Sequence, residues 1–464
     1  MVLASALLFA AALAADPAVG FRHGGSAVFA EATLPDRWDP ADCWDVATPG
    51  WSNSSPVVVG DLVCTLSEPT TLSCHDRATG RLRWQATNDH VDTLAGEERA
   101  AWVARLAAAP ARVEQAQALQ RAYSEARREA RRAPEDPAIA ARLEELGASL
   151  AQARAAVDDD RAYLTPPDRE VIGYTTHSPV SDGERIYVQL GHGVVSAFAL
   201  DGTRVWSVWL GPAPEAMRGY HTGSAASPLL VEGRLVVGHR RLVALDPATG
   251  AVQWEGPPFT DFGTPAAGRV GDLAFVATPA GEVVDLSDGT VLAKGLDAPW
   301  YVGPQVDGDV ITWVGGTNQH QSTATAPAHA SAHRVVVDRA RRVSVQPLWR
   351  TDIQSTDPFF VSPVAWQGSL YSIDASAQVW RIDARDGAVV AFAKAPVGPA
   401  YSSPVVVGGQ LLLGGEDGAV AVMDPETGAV LARHVLPMTR ATAVPVGGRV
   451  YVRALERLLC VGTR

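Results

Sequence analysis

The sequence predicts an all-β fold, an eight-bladed β-propeller closed by N- and C-terminal strands, with an inserted antiparallel α-helical hairpin. Three observations predict it. A phrase made of a small residue, Pro, a Val-rich run, Gly and a second apolar run recurs at intervals mostly near 40 residues. An eleven-residue hairpin phrase recurs out of phase with it, and one long interval carries helical instead of strand periodicity.

The first phrase reads SSPVVVGDLVCTL (54–66), HSPVSDGERIYV (177–188), ASPLLVEGRLVV (226–237) and GTPAAGRVGDLAFV (263–276). It continues as VGPQVDGDVITWV (302–314), VSPVAWQGSLYSI (361–373) and SSPVVVGGQLLLG (402–414). The last copy, ATAVPVGGRVYV (441–452), has Ala443 near the expected Pro. A period of this length marks a propeller or solenoid. Each unit holds four short β-rich runs separated by Gly, Asp and Pro turns, which is one antiparallel blade. A blade cannot bury both faces alone, and a ring of blades does so while leaving only short edges.

The hairpin phrase reads CHDRATGRLRW (74–84), ALDPATGAVQW (244–254), RIDARDGAVVA (381–391) and VMDPETGAVLA (422–432). In 244–254, Ala244 and Leu245 end strand C, Asp246 to Gly250 turn, and Val252 to Trp254 begin strand D. Asp246 caps the turn through its side chain, and Gly250 supplies positive φ. The terminal Trp recurs at Trp84, Trp206, Trp254 and Trp349, with Ala at Ala293, Ala391 and Ala432. An indole there fills the gap between neighbouring blades.

The eighth unit stops at RLLCVGTR, without a strand D. The segment ADCWDVATPG supplies one, with Trp44 at the docking position. This closure brings Cys43 beside Cys460, while Cys64 and Cys74 flank one hairpin of blade 1. In an exported chain they form two disulfides, Cys43–Cys460 and Cys64–Cys74; four buried thiols are the other reading.

The interval from Pro56 to Pro179 is too long for one blade, and residues 93–163 account for it. Ile139, Leu143, Leu146, Leu150, Ala153 and Val157 form a coiled-coil seam, matched by Ala116, Leu119, Tyr123, Ala126 and Ala130. The break at 132–137 joins two helices, with a short lead-in helix expected near 96–108. Arg127, Arg128, Arg131 and Arg132 cluster at the tip, either as a solvated face or for an anionic partner. A second insertion, NQHQSTATAPAHASAH (318–333), reads as a flexible polar loop. Its His320, His329 and His333 lack a local carboxylate or thiol to complete a metal site.

The N-terminal FRHGG…LPDRW…CWDVATPGWSNSSPVV, through Phe21, Arg22, Leu34, Pro35, Trp38 and Ser54-Ser55-Pro56, resembles bacterial PQQ-binding-like β-propeller repeat proteins. The eleven-residue hairpin resembles the tryptophan-docking motif of the same quinoprotein-type, BamB-like superfamily. His23 and the residues after it depart from that pattern. The resemblance covers about 20–90 and 165–464. It implies a ring related to quinoprotein alcohol dehydrogenases and to outer-membrane assembly propellers. The dehydrogenases carry adjacent cysteines beside PQQ, and this chain has no Cys-Cys pair. The expectation is therefore no PQQ, no calcium and no other metal.

A net charge of −12 disfavours nucleic acid. The start, MVLASALLFAAALAADP, reads as a signal peptide over 1–15, too short to span a bilayer and without a lipobox Cys. The domain reading is then a closing strand and blade 1 over 16–92, the helical insertion over 93–163, and blades 2–8 over 164–464. The expected product is a periplasmic or secreted, monomeric propeller without stable membrane insertion, and not a lipoprotein.

The helical hairpin, the polar loop and the linker 210–223 all emerge at one face, because D-to-A and B-to-C links share an end of a propeller. That face is the expected docking surface for protein partners. Residues just before each strand A line an axial funnel there: Trp51, Asn53, Thr176, His177, Tyr220, His221, Asp261, Tyr301, Phe360 and Tyr401. No nucleophile motif, phosphate loop or zinc spacing accompanies them, so no catalytic residue is assigned. A non-catalytic binding or assembly scaffold is the leading expectation. The alternatives are an enzyme acting through the funnel, as a quinoprotein-like oxidoreductase or on a carbohydrate, and a small-molecule sensor or binding protein.

Overall fold

Each repeat folds as a four-stranded antiparallel sheet whose strands A to D run outward from a common axis. The computed structural model describes residues 20–164, 172–211, 225–259, 262–299, 301–316 and 328–462, and within these the sheets number eight. Blades 1 to 7 span 57–87, 180–209, 229–258, 266–293, 305–353, 364–394 and 405–435. Blade 8 is built from 444–461 and, as its outermost strand, Trp44–Ala47. Strands B and C are buried almost throughout, as in Leu62–Ser67 and Ala419–Met423, because neighbouring blades cover both of their faces.

The eleven-residue phrase has a mechanical role. Asp246 Oδ1 accepts the N–H groups of Ala248 (2.8 Å) and Thr249 (3.0 Å), which fixes the turn. Gly250 has φ +74°, and a Cβ on it would lie 2.7 Å from the Trp206 indole of the preceding blade. The glycine is thus required both by the turn and by the ring that lies on it. Trp206 Nε1 donates to Pro247 O at 2.9 Å, and Trp254 Nε1 donates in turn to Leu286 O of blade 4 at 2.9 Å. The same bond recurs from Trp44 to Arg77 O (3.1 Å), Trp84 to Leu200 O (2.8 Å) and Trp349 to Ala384 O (3.0 Å). Each indole satisfies its polar edge on the next blade while burying its apolar body.

Ring closure uses both chain ends. Trp44–Ala47 pairs antiparallel with Arg457–Val461, placing Trp44 opposite Cys460. Disulfides join Cys43 to Cys460 and Cys64 to Cys74. Between blades 8 and 1, the buried Arg453 guanidinium donates to Leu455 O (2.7 Å), Ser67 Oγ (3.0 Å) and Gly50 O (2.5 Å). Between blades 1 and 2, Glu68 accepts the Thr175 N–H at 2.8 Å and the Thr175 hydroxyl at 2.5 Å.

Ahead of the closing strand, the chain passes through the central channel. Val28–Phe29 pairs in parallel with strand A of blade 7, opposite Val406 and Val407. Arg22 is 4% exposed, and its Nη2 donates to Gln305 Oε1 of blade 5 (2.6 Å) and to Pro363 O of blade 6 (2.9 Å). Farther on, Thr33 N–H donates to Gly447 O (2.8 Å) and Trp38 stacks on His434 of blade 7 (4.8 Å). Residues 20–29 are therefore an internal strap, continued by 30–38 out to strand D of blade 7, where the sequence alone shows only a matching pattern.

The helical insertion is a hairpin of α1 (Gly96–Arg132) and α2 (Pro137–Leu164), between strand D of blade 1 and strand A of blade 2. The expected separate lead-in helix does not exist. Pro110 lies inside α1 without ending it, so the helix runs unbroken for 37 residues, about 55 Å at 1.5 Å per residue. At the root, the His90 ring lies 4.0 Å from Trp209 of blade 2 and 4.5 Å from Trp102 of α1. Asp92 pairs with Arg204 of blade 2 at 3.4 Å.

Of the expected flexible loop at 318–333, residues 318–327 lie outside the described residues, and 328–333 are corrected. Ala328–Val337 is strand C of blade 5, a ten-residue strand paired on both sides. His329 lies within it, 3.2 Å from Asp297, and His333 is buried edge-on to Trp313. Ala, His and Ser have little intrinsic strand preference, and burial between two neighbours decides the conformation. His320, Tyr220, His221, Asp261 and the 1–15 segment lie outside the described residues.

Two outcomes are expected for stability. Trp254→Ala should destabilise the propeller by about 3–5 kcal/mol, measured by chemical denaturation. Replacing Cys43 and Cys460 by Ser should cost about 2–5 kcal/mol under oxidising conditions and nothing further once the protein is reduced.

Candidate functional site: an axial cup

In every blade but the eighth, where Thr442 precedes Ala443, the residue leading into the inner strand stands before Pro, which favours an extended conformation for it. These residues form a girdle of hydroxyls around the axis. Ser55 N–H donates to Ser178 Oγ (3.0 Å), Ser178 N–H to Ser227 Oγ (2.9 Å), and Ser227 N–H to Thr264 Oγ1 (3.0 Å). Beyond blade 5, Ser362 N–H donates to Ser403 Oγ (3.3 Å) and Ser403 N–H to Thr442 Oγ1 (3.0 Å). Thr442 N–H returns to Ser55 Oγ (2.9 Å). Gly303 takes this place in blade 5, where a Cβ would lie 2.4 Å from Thr264 O; here the backbones pack too closely for a side chain.

Two residues before each girdle position stands one wall residue per blade. In blade order they are Asn53, Thr176, Ala225, Phe262, Tyr301, Phe360, Tyr401 and Arg440, and all line one cavity of about 230 Å³. Phe21 of the strap also lines this cavity, so the cup has a floor made by the chain's own N-terminal segment. The wall is two-sided. Phe262 stacks on Tyr301 (4.8 Å), Tyr301 meets Phe360 edge to face (5.5 Å), and Phe360 stacks on Tyr401 (5.0 Å). Arg440 lies 5.4 Å over Tyr401, and its Nε donates to Glu416 Oε1 at 2.7 Å. Across the cup stand Asn53, Thr176 and Ala225.

Tyr301 has φ +83°, a left-handed conformation that costs a non-glycine residue energy and is held only where packing over-determines it. It belongs to one stacked pair, with Phe262, and meets the other edge to face through Phe360.

Of the sequence candidates, Asn53, Thr176, Tyr301, Phe360 and Tyr401 come together in the cup. Trp51 does not; it is buried and borders a separate groove with Pro437, Met438 and Leu455. His177 does not either. Successive residues of an extended chain face opposite sides, so Thr176 and Ser178 meet the axis and His177 turns away between blades. It is fully buried there, and burial pushes its imidazole down to about 3, with His239 and His192 acting in the same direction. Burial likewise lowers His192 to about 3, helped by His239 and His90. Sequence reasoning missed Phe262, Arg440, Ala225 and Phe21. A strict offset of three before the strand-A proline would have found Phe262 and Ala225. At Arg440 the proline itself is replaced by Ala443. Among the described residues, no group of three or more His, Cys, Asp or Glu side chains is arranged to hold a metal ion.

Eight blades with indole-docked hairpins, closed from both chain ends around an axial cup, define a propeller of the PQQ-like, quinoprotein type. A family model described as outer membrane protein assembly factor BamB matches residues 151–296 and 334–464, more than half of the chain, and the chain belongs to that family. An outer membrane protein assembly factor BamB from Alkalilimnicola ehrlichii is 25% identical over 241 residues, 50% of this chain and 49% of that protein. The chain thus matches about half the length of that relative. Among solved structures, the computationally designed protein Ika8 is similar with a TM-score of 0.51 at 10% identity, over 94% of this chain and 99% of that one. BamB from Moraxella catarrhalis gives 0.39 at 12% identity, over 90% and 86%.

The buried histidines set a pH dependence. In the unfolded chain they titrate near the ordinary 6.5, whereas in the fold they refuse the proton down to about 3. Below 6.5 the unfolded state therefore binds more protons, so stability is full above that pH and declines as pH falls toward 3. Denaturant melts across pH 4 to 8 should show this decline, and His177→Gln should flatten it.

Proposed function

We propose that the chain is an exported, non-catalytic scaffold that binds a protein partner at the face carrying the helical hairpin. One observation carries this reading: a two-helix arm, its first helix about 55 Å long and its second about 42 Å by helical rise, rooted in blade 2 through His90, Trp209 and the Asp92–Arg204 pair. An arm so braced and so long adds nothing to closing the ring, which is complete without it. The relatives' description as outer membrane assembly factors supports a role in assembly. It also supports a location outside the cytoplasm. No described helix is long and apolar enough to cross a membrane.

A polyanionic quinone cofactor does not fit the described cup. The cation on its wall, Arg440, is already paired with Glu416, and all four cysteines are engaged in disulfides away from the cup. A second reading, a small-molecule binding protein, is favoured by the aromatic crescent above the strap.

Replacing 95–164 by a short Gly/Ser linker should leave a folded propeller with a similar melting temperature. It should also abolish in situ crosslinking to the envelope partners that the intact chain captures. An unchanged set of crosslinked partners would remove the arm from the reading.

A further inference from the structure

We propose that the tip of the helical arm rests on an anionic, phosphate-bearing lipid surface through Arg127, Arg128, Arg131 and Arg132. The proposal goes beyond the scaffold reading. It concerns the far end of the arm and holds whether or not a protein partner binds nearer the ring.

The four arginines occupy the end of α1, where the arm turns back. All four are exposed, and among the described residues none of them forms an ion pair. Of the neighbouring carboxylates, Glu129 pairs with Arg142 (3.0 Å), Asp136 Oδ1 accepts the Ala138 N–H (2.9 Å) at the start of α2, and Glu135 lies in the turn. From 127 to 142 the chain carries five arginines against three carboxylates, in a protein whose net charge is −12. A helix C-terminus favours cations, but only within its last turn, which holds Arg131 and Arg132. Arg127 and Arg128 lie a turn earlier, and each meets a like charge four residues on, which weakens a helix. The cluster thus exceeds what α1 itself uses.

Position and surroundings select the partner. Both helices are exposed on their outer faces along their described length, so the arm stands clear of the propeller and carries its tip about 55 Å from the root by helical rise. The field of an anionic surface reaches about one Debye length, roughly 10 Å at 0.1 M salt. At that range the tip feels the surface, while the acidic ring, which the surface would repel, stays outside its field. A protein partner would ask for more. Protein interfaces draw their affinity from aromatic or apolar anchors buried in pockets, and exposed charges chiefly steer the encounter. The exposed apolar residues of the turn are Ala133, Pro134, Pro137 and Ala138, all too small to be such an anchor. A lipid surface requires no pocket, and guanidinium groups on long stems reach its phosphates at varied angles. With no large apolar side chain to bury, the contact is electrostatic and peripheral, without insertion.

Flotation of the full-length protein with lipid vesicles tests this, comparing phosphatidylcholine alone with phosphatidylcholine containing about one third phosphatidylglycerol. The protein should float with the anionic vesicles only, and the association should vanish as salt rises from about 0.1 M to about 1 M. Each arginine replaced by Gln should weaken the partitioning by about fivefold, so R127Q/R128Q/R131Q/R132Q should abolish it at unchanged helicity. The matching arginine-to-lysine variant keeps the charge and loses the planar fork, and should stay within about threefold of the original. Flotation with neither vesicle, or equally with both, overturns the proposal, as does anionic flotation that the glutamine variant retains. Loss of flotation in the lysine variant would mean a shaped site for a single phosphate group and overturn the surface reading. A photoreactive benzoylphenylalanine in place of Pro134, used in situ, should give adducts of lipid mass. A protein adduct that the glutamine substitutions remove would make the partner an acidic protein and overturn the lipid assignment.

Discussion

The fold depends on closure. A blade has two apolar faces, and each is covered only when a neighbour stands on both sides, so the first and last blades are as exposed as a lone sheet until they meet. Here they meet through four residues, Trp44–Ala47, which complete the final sheet. The same few residues carry the Trp44 indole onto the first hairpin, and Cys43 beside them is bonded to Cys460. The hydroxyl girdle repeats this closure at the axis, where Thr442 returns to Ser55. The cup is a by-product of that girdle: its wall residues sit two positions ahead of groups whose spacing the ring has already set.

The architecture was legible because its signals are local. Asp246, Gly250 and Trp254 each have a reason to occur within one turn, and the turn repeats. The helical hairpin announced itself by the spacing of Ile139, Leu143, Leu146 and Leu150. What the sequence concealed is non-local or depends on register. The strap pairs Val28 with Val406, a contact with no periodicity to reveal it. The strand from Ala328 to Val337 has a loop's composition and a core strand's burial.

The site shows the same division. Tyr301, Phe360 and Tyr401 were found because aromatic residues before an inner strand are conspicuous. His177 was conspicuous for the same reason, yet it faces away from the axis, since neighbouring residues in an extended chain point oppositely. Ala225 was invisible because an alanine carries no chemical signal, and only its place three residues before Pro228 marks it as a wall position.

The strap has a consequence for the order of assembly. During synthesis, the segment that lines the channel and the strand that finishes the last sheet are both made before any blade. The last strand, Arg457–Val461, comes more than 400 residues later. The early segment must therefore wait, unpartnered, while the blades form. The Arg22 side chain bonds to Gln305 and Pro363 of blades 5 and 6, and the backbone of Val28–Phe29 pairs with Val406–Val407 of blade 7, so these partners all come from the later blades. In this chain a segment made early depends for its contacts on blades made late, and the hole through the ring is filled by the chain itself.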